Sequence, residues 1–424
     1  MLVRVTVPAA ILLLTVACEP KGQTTPPPQP TPPPVEETKA EPEVQCNYLV
    51  LIDAGSSGSR AFTYQYTMPE GGGVPTKIAQ VSDAKVEPGI SSFKGEPAKA
   101  AASIQGLLEA DGSVLKTLPE ACKEKTPVAL MATAGMRLVE GEAGGDAASK
   151  ALYSAITAQV KAAGLDLRFA GTISGTQEAV YGWLTANYAL GKLGGDETVG
   201  ALDLGGASTQ IAFAVADAGG APTAAVKVGD KTFNVYAQSY LGYGQDIARQ
   251  YLAVDACYNK GLNKGTGKYA ACTKALGASV KPKKCDAGAC GLATPGDDAK
   301  AGVAQPAIPE GMKFYAFGAY FFARDFFGLP ENATPAQLRE AAGGPKGSAG
   351  FCGTPWKKAV EEHKDVPENF LEGYCFSAGW IDVLLDNYHF AASSDQITWT
   401  NEVGGVEAGW TLGAALCSLT GCLR

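Results

Sequence analysis

Two apolar segments of the chain each run into a polar turn that begins with aspartate and is rich in glycine and serine. The turns read DAGSSGSR from Asp53 and DLGGASTQ from Asp203, 150 residues further along. A second apolar segment follows each turn. The four apolar segments are 47–52, 61–66, 198–202 and 211–214. A short apolar run, a polar tip and another apolar run predict a β-hairpin. Two such hairpins indicate two related halves that face each other.

Helical and strand patterns alternate over much of the remaining chain. Apolar spacing of three and four residues predicts helices at 98–108 and 147–163, and a short apolar run predicts a strand at 127–131. This alternation favours an α/β architecture. The same helical spacing predicts three later helices, at 314–327, 376–385 and 410–419. Segment 257–309 is rich in glycine, lysine and alanine and contains four cysteines. We expect it to be a disulfide-linked surface loop outside the core.

The N-terminal segment has the features of an export signal. Its apolar run, 5–17, is shorter than the roughly 20 residues that span a bilayer, so residues 1–17 are predicted to be a signal peptide. The sequence LTVAC, ending at Cys18, resembles the lipobox of bacterial lipoproteins, which implies a lipid anchor at a bacterial cell envelope. The alternative is conventional cleavage that leaves Cys18 free. Residues 18–45, rich in Pro, Thr and Glu, are predicted to form an extended tether behind the anchor.

Composition narrows the chemistry that the chain can perform. A net charge of -8 and a pI near 5.1 argue against a surface that binds nucleic acid, because such binding depends on Lys and Arg contacts with phosphates. The chain has two histidines, His363 and His389, which makes a Ser-His-Asp triad or a multi-histidine metal site improbable. Catalysis is therefore expected to depend on carboxylates, hydroxyls and backbone amides.

The two hairpin tips have the chemistry of phosphate binding. A turn of small residues exposes several backbone N–H groups, and the lack of bulky side chains lets phosphate oxygens approach closely. The aspartate that begins each tip supplies the hard oxygen ligand that Mg²⁺ or Ca²⁺ prefers. One such tip would be weak evidence, because Gly-Ser turns are common. Two matching tips predict a phosphate and metal site between the halves.

The chain resembles the apyrase, or nucleoside triphosphate diphosphohydrolase, family over nearly its whole length after residue 45. Eight signature blocks carry the resemblance, in the family's order. They are LIDAGSSGSR from Leu51, MATAGMR from Met131, ISGTQEAVYGWLTANYALG from Ile173, ALDLGGASTQIAF from Ala201, YGQDIAR from Tyr243, KFYAFGAYFF from Lys313, GYCFSAGWI from Gly373 and GWTLGAAL from Gly409. The resemblance implies an actin-like fold of two RNase H-like domains, with nucleoside tri- or diphosphate in the cleft between them. The expected domains are 46–170 with 405–424, and 171–404.

The resemblance also assigns roles to individual residues. Glu178 corresponds to the catalytic base, with Ser208 and Gln210 holding the attacking water, and Asp53 and Asp203 hold Mg²⁺ or Ca²⁺ through water. Three further sets of residues complete the implied site. One end of the phosphate chain is cradled by Ser56, Ser57, Gly58, Ser59 and Arg60, the other end by Gly205, Gly206 and Ala207, and the cleft is lined by Thr133 and Arg137. Tyr388 matches a family tyrosine that stacks on the nucleobase, which implies broad base specificity.

Two positions depart from the family pattern. Many animal cell-surface members have histidine where this chain has Gly58, so its Gly-Ser-Arg is closer to the soluble and Golgi nucleoside diphosphatase type. This departure leaves open whether triphosphates or diphosphates are preferred. Glu178 is followed by Ala179, where glycine is usual. The sequence indicates neither the preferred nucleobase nor the oligomeric state.

Two other functions compete with the apyrase interpretation. Exopolyphosphatases and sugar kinases share the actin-like fold and an Asp-x-Gly tip, but they would lack ATAGMR and the Glu178 block. A lipoprotein that binds nucleotides without hydrolysing them would have no use for a positioned base. Phosphate release from ATP, with polyphosphate and glucose as controls, would separate these possibilities.

Ten cysteines follow Cys18, and an even number behind a signal peptide indicates disulfides in an oxidising compartment. Zinc binding is a weaker alternative, because Cys285 and Cys290 have no matching second pair. We expect five disulfides. Cys352 with Cys375 is implied by the resemblance of their blocks to a linked family pair. The remaining predictions are Cys417 with Cys422, Cys46 with Cys122, and two bridges within 257, 272, 285 and 290.

Overall fold

The computed structural model describes residues 45–282, 284–285, 289–293, 301–345 and 349–423. The predicted signal peptide, the lipidation site at Cys18 and nearly all of the tether lie outside these residues. Among the residues described, no helix is both long and apolar enough to cross a membrane.

The strands fall into two main sheets and two small ones. In chain order they are β1 Tyr48–Ala54, β2 Ser59–Thr67, β3 Lys77–Val86, β4 Pro127–Ala132, β5 Asp166–Thr172, β6 Gly200–Leu204, β7 Ser208–Ala214, β8 Thr223–Val228, β9 Lys231–Leu241, β10 Lys284–Cys285, β11 Ala289–Ala293, β12 Ala301–Gln305, β13 Phe314–Gly318, β14 Ile397–Trp399, β15 Glu402–Val403 and β16 Val406–Glu407. The first main sheet has the order β3-β2-β1-β4-β5, and the second has the order β8-β9-β7-β6-β13-β14.

The two main sheets have the same plan. In the first, antiparallel strands β3, β2 and β1 are followed by the parallel strands β4 and β5. In the second, antiparallel strands β8, β9, β7 and β6 are followed by the parallel strands β13 and β14. The hairpins β1–β2 and β6–β7 therefore occupy matching places. This repetition confirms the predicted α/β architecture of two related halves.

Helices connect and cover the sheets. The α-helices are α1 Pro97–Glu109, α2 Val114–Thr117, α3 Ala134–Glu140, α4 Gly145–Ala162, α5 Gly175–Ala189, α6 Gln245–Leu252, α7 Tyr269–Val280, α8 Ala319–Phe326, α9 Pro335–Gly343, α10 Trp356–Glu362, α11 Glu368–Leu371, α12 Tyr374–Asn387 and α13 Thr411–Thr420. Short 3₁₀ helices lie at Ile90–Phe93, Glu120–Lys125, Asp255–Cys257 and Phe351–Gly353.

Strand β1 is apolar from Leu49 to Ile52 because both faces of its sheet are covered. Val50 and Ile52 point to one side, where α1 and α4 complete a core. Leu49 and Leu51 point to the other side, into a core shared with β8, β9, α5 and α13. A third core lies on the opposite face of the second sheet, against α7, α8 and α12. Since α5 and α13 share one core with both sheets, the predicted domain boundaries stay a prediction.

Helices α5 and α13 cross at very short range inside this shared core. The crossing requires a glycine at position 413, because a Cβ there would lie 1.9 Å from the carbonyl oxygen of Tyr181. The backbone N–H of Gly413 donates to Thr185 Oγ1 at 2.8 Å. The crossing matters for function because Glu178, the predicted base, lies on α5.

The disulfides agree with the predictions wherever the structure describes them. Bridges join Cys46 to Cys122, Cys352 to Cys375 and Cys417 to Cys422, which confirms these three pairs. Within the predicted set of four, Cys257 is bonded to Cys272. Cys290 is also disulfide-bonded. The side chain of Cys285 lies outside the described residues.

Two predictions about secondary structure were wrong. Segment 257–309 is not a loop outside the core, because α7 lies within it and buries Cys272, Leu276 and Val280 against α12 and the second sheet. Segment 314–327 is not one helix. Its first five residues form β13, which pairs with β6 and β14, and only then does α8 begin. Pairing between two strands overrides the local helical spacing there.

We predict that Gly413→Ala destabilises the protein by at least about 1–3 kcal/mol, because the added methyl group has no space at the crossing of α5 and α13. Gly106→Ala is the matched control. It also changes a helical glycine, but a Cβ at Gly106 meets nothing within 4 Å. That variant should gain about 0.5–1 kcal/mol from helix propensity. Urea unfolding of both variants measures the difference, and equal stability of the two would contradict the close crossing.

Candidate active site

The two hairpin tips lie at the same cavity. Asp53 pairs with Arg60 at the end of hairpin β1–β2, and Asp203 pairs with Gln210 at the end of hairpin β6–β7. The cavity has a volume of about 660 Å³. Twelve of the predicted site residues line it, namely Asp53, Ser56, Ser57, Gly58, Arg60, Thr133, Glu178, Asp203, Gly205, Gly206, Ala207 and Ser208. The structure thus brings together both predicted phosphate cradles, both predicted metal ligands and the predicted base.

The tips approach each other closely at Gly206. A Cβ at this position would lie 2.7 Å from Asp246 Oδ2 and 2.8 Å from Ser56 Oγ, so a larger residue would displace these two side chains. Asp246 lies in the first turn of α6, and its backbone N–H donates to the Gly206 carbonyl at 2.9 Å. Helix α6 therefore contacts the second tip at Gly206, and Ser56 of the first tip contacts the same glycine.

Glu178 is placed by the first turn of α5. A capping box starts the helix, because the Ser174 hydroxyl accepts from the Gln177 N–H at 3.1 Å while the Gln177 side chain accepts from the Ser174 N–H at 2.9 Å. The helix N-terminus favours a negative side chain in its first turn. Glu178 is 8% exposed and borders the cavity. Its backbone is fixed before any substrate enters.

A hydrogen-bond network holds the Glu178 carboxylate. Arg137 Nη2 donates to its Oε2 at 2.7 Å, and Gln210 Nε2 donates to the same oxygen at 3.2 Å. Gln210 and Arg137 also donate to Ser208 Oγ, at 2.7 and 3.2 Å. Among the described residues, both side-chain hydrogen bonds to the carboxylate end on Oε2. Oε1 is therefore available to a molecule in the cavity.

Three carboxylates share this poorly solvated region. Burial, then the charges of Glu178 and Asp203, hold the pKa of Asp53 well above its ordinary value. Burial, then the charge of Glu178, raises the pKa of Asp203 to about 7. Burial also raises the pKa of Glu178, and the nearby Arg137 only partly offsets this effect. When ionised, the carboxylates that line the cavity (Asp53, Glu178, Asp203, Glu402 and Glu407) outnumber the cations that line it, Arg60 and Lys85.

A divalent cation fits this excess of negative charge. Asp53 Oδ1 is buried and has no hydrogen-bond partner among the described residues, which is the state of an oxygen reserved for a ligand. Carboxylate oxygens suit Mg²⁺ and Ca²⁺. Among the described residues, no group of three or more His, Cys, Asp or Glu side chains is arranged to bind a metal. Asp53 and Asp203 would therefore share the ion with water and substrate oxygens.

Two predicted phosphate ligands have other positions. Arg137 does not line the cavity, and it binds Glu178, Ser208 and the Ile173 carbonyl instead. The Ser59 side chain is fully buried on the other face of its strand, because side chains alternate along β2. Neither side chain lines the cavity, whereas the backbone of Ser59 belongs to the first tip, so the predicted roles of Arg137 and Ser59 stay predictions.

Tyr388 does not reach the cavity. It ends α12 and is fully buried in the core of the second sheet. Its hydroxyl lies 3.4 Å from Thr209 Oγ1, and its ring centroid lies 6.1 Å from that of Tyr240. A ring with no exposed face cannot stack on a nucleobase. The predicted role of Tyr388 is therefore wrong.

Several residues that line the cavity were missed by the sequence analysis. Phe322 is a large apolar side chain on α8 that is nevertheless 58% exposed. Lys85 lies beside the first tip, with its Cε 3.4 Å from the point that a Cβ on Gly58 would occupy. Glu407 and Trp410 border the cavity just before α13. Their sequence signal was weak, although Phe322 and Trp410 belong to blocks that had been recognised.

Similarity to known proteins identifies the family of the chain. The GDA1/CD39 (nucleoside phosphatase) family matches residues 39–261 and 251–422. A similar protein of Arabidopsis thaliana, named probable apyrase 3, is 30% identical over 407 residues, covering 87% of this chain and 81% of the relative. Ectonucleoside triphosphate diphosphohydrolase 8 of Homo sapiens is 30% identical over 454 residues, covering 92% of this chain and 86% of the relative.

A similar solved structure is that of nucleoside triphosphate hydrolases from Neospora caninum. It has a TM-score of 0.63 at 16% identity and covers 88% of this chain and 92% of its own. That likeness concerns the fold and supports the predicted two-domain arrangement. The chain belongs to the GDA1/CD39 family of nucleoside phosphatases and is an enzyme of the apyrase type, which hydrolyses phosphoanhydride bonds.

Proposed function

We propose that the protein hydrolyses the terminal phosphate of nucleoside tri- and diphosphates, with Glu178 as general base and Mg²⁺ or Ca²⁺ at Asp53 and Asp203. The observation that carries this proposal is the Glu178 network, in which a buried carboxylate faces both hairpin tips with one oxygen unused. A site that only bound nucleotides would gain nothing from such a carboxylate beside a polyanion, because it repels the ligand.

The residues can perform the reaction without a covalent intermediate. A water molecule at Glu178 Oε1 attacks the terminal phosphorus, and Glu178 takes its proton. The bond from phosphorus to the bridging oxygen breaks, and the shortened nucleotide leaves with that oxygen's electron pair. Ser208 and Gln210 direct the water, while backbone N–H groups of the two tips receive the phosphate oxygens. A bound divalent cation would neutralise charge on the phosphate chain.

Arg137 has a positioning role in this scheme. It holds Glu178 and Ser208 together through one guanidinium nitrogen, Nη2. Its positive charge also lets a carboxylate in this buried place remain ionised, which a base requires. The ion pair is well shielded from solvent, since the two side chains are 14% and 9% exposed.

We further propose that the protein is exported and held at a bacterial cell envelope by lipid on Cys18. The disulfides of the described residues support export, because such bonds persist in oxidising compartments. Radiolabelled palmitate incorporation by the wild type, and its absence in Cys18→Ser, would test the anchor.

Phosphate release tests the proposed function directly. Purified protein is incubated with ATP or ADP and with Mg²⁺, Ca²⁺ or a chelator. The proposal requires release from both nucleotides that stops in the chelator. Polyphosphate and glucose are the controls for an exopolyphosphatase and a sugar kinase. Binding of ATP without release would instead indicate a nucleotide-binding protein.

Glu178→Gln should lower turnover by about 10² to 10⁴-fold, because it keeps the side chain's size but removes the base. Nucleotide binding, measured by calorimetry with a non-hydrolysable ATP analogue, should persist. Ser208→Ala should have a smaller effect on turnover, since it misplaces the water and leaves the base. If Glu178→Gln kept more than about a tenth of wild-type turnover, another group would be the base.

The metal-free protein should lose stability as pH rises from about 4 to about 7. Unfolded Asp203 has an ordinary pKa near 3.8, whereas burial and Glu178 raise its pKa to about 7 in the folded protein. The folded state therefore binds an extra proton at Asp203 in this window, and the contribution of this group to stability falls with a slope of up to about 1.4 kcal/mol per pH unit. Asp203→Asn should flatten this dependence.

Thermal unfolding in a chelator measures the effect. Added Ca²⁺ or Mg²⁺ should raise the melting temperature of the wild type more at pH 8 than at pH 5, because the cation competes with the proton. Asp230→Asn, in an exposed turn, is the control and should behave like the wild type. If the pH dependence of stability were the same in Asp203→Asn as in the wild type, the Asp203 carboxylate would not be its cause.

Phe322 is proposed to offer its exposed ring to the nucleobase. Phe322→Ala should weaken AMP binding by about fivefold to a hundredfold, because stacking contributes about 1–3 kcal/mol per base. Affinity for inorganic phosphate should not change. Phe370→Ala is the matched control, since Phe370 is 62% exposed but does not line the cavity. Equal losses for AMP and phosphate would contradict stacking.

A further inference from the structure

Arg60, a predicted phosphate ligand, already binds a carboxylate of the protein itself. Its guanidinium donates to the carboxylate of Glu407, and both residues line the cavity. The two side chains are 39% and 35% exposed, so the pair lies at the solvent-accessible part of the cleft. The Glu407 carboxylate therefore binds Arg60 at the place where we expect a phosphate oxygen of the substrate to bind.

The position of Glu407 is fixed by its backbone. It ends the short ribbon β15–β16, in which Glu407 pairs with Glu402 and the buried Val403 pairs with Val406. The ribbon turns at Gly404, which has a φ of +58° and lies so close to the end of α5 that a Cβ would be 2.4 Å from the Ala189 carbonyl oxygen. The ribbon is thus anchored on the helix that carries Glu178.

Glu407 also adds to the negative charge of the site. Its charge contributes to the raised pKa of Asp53, whereas the charge of Arg60 acts in the opposite direction. A phosphate that binds Arg60 must either displace Glu407 or lie next to it. The first outcome costs the ion pair, and the second brings two negative groups together. Both outcomes weaken binding.

We propose that Glu407 is an internal competitor for the phosphate chain: it occupies Arg60 in the empty cleft and recaptures it when phosphorylated product leaves. Glu407 is therefore an affinity-determining residue that opposes retention of nucleotide. This inference rests on the proposed function, which makes Arg60 a ligand of phosphate. It assigns a role to a residue outside both hairpin tips.

The test compares the binding of AMP, inorganic phosphate and adenosine to Glu407→Gln and wild type by calorimetry. AMP and phosphate should bind roughly threefold to tenfold tighter to the variant, as expected for a partly exposed ion pair. Uncharged adenosine should bind equally to both. Tighter binding is a gain that structural damage would not produce. Unchanged or weaker AMP binding would overturn the proposal, and weaker binding would mean that Glu407 orients Arg60 for phosphate.

Two further variants isolate the cause. In an Arg60→Gln background, Glu407→Gln should lose most of its effect, because there is no guanidinium left to release. Glu142→Gln removes an ion pair with Lys94 that is also partly exposed but lies outside the cavity, and it should leave AMP affinity unchanged. An equal gain in Glu142→Gln would show a general charge effect and would refute the specific role. Phosphate release by the wild type separately decides the proposed function.

Discussion

Repulsion among three buried carboxylates is the constraint on which the rest of the site depends. Asp53, Asp203 and Glu178 each come from a different element, and burial raises the pKa of all three carboxyls, while the charge of Glu178 raises the pKa of both aspartates further. Such an arrangement costs folding free energy unless it is compensated. Arg137 compensates Glu178 directly. Among the residues that the structure describes, the two aspartates have no comparable partner of their own, which is why a divalent cation and a polyanionic substrate would suit this cleft together.

Close backbone contacts keep these groups at fixed distances. Helix α5 meets α13 at Gly413, where a Cβ would lie 1.9 Å from the Tyr181 carbonyl oxygen, and the tips meet where Gly206 lies against side-chain oxygens of Ser56 and Asp246. Helix α5 begins at a capping box beside the second tip and ends against the ribbon that carries Glu407. One helix thus carries Glu178 at its first turn and the contact with the ribbon at its last residue. Preorganisation of this kind lowers the reorganisation that the reaction would otherwise require.

The sequence predicted those parts of the fold that depend on residues close together in the chain. The hairpins and their tips follow from apolar runs and Gly-Ser composition, and the structure reproduces them. Strand β13 was mistaken for helix because its pairing with β6 and β14 depends on residues distant in sequence. Helix α7 had a visible spacing of Cys272, Leu276 and Val280, but its glycine and lysine content favoured a loop. Tyr388 follows α12, whose residues 375–385 are all buried, so no amphipathic pattern in the sequence indicates which way the Tyr388 ring points.

The two arginines show why side-chain roles were harder to predict than backbone positions. Arg60 and Arg137 both belong to recognised blocks, and both were expected to bind phosphate. In the structure each binds a carboxylate of the protein, with very different burial: the side chain of Arg137 is 14% exposed and that of Arg60 is 39% exposed. A shielded ion pair is costly to break, because separation leaves a buried charge unpaired, whereas a partly exposed pair exchanges partners cheaply. Burial therefore separates Arg137, which stays with the proposed base Glu178, from Arg60, which we propose exchanges its carboxylate for a phosphate.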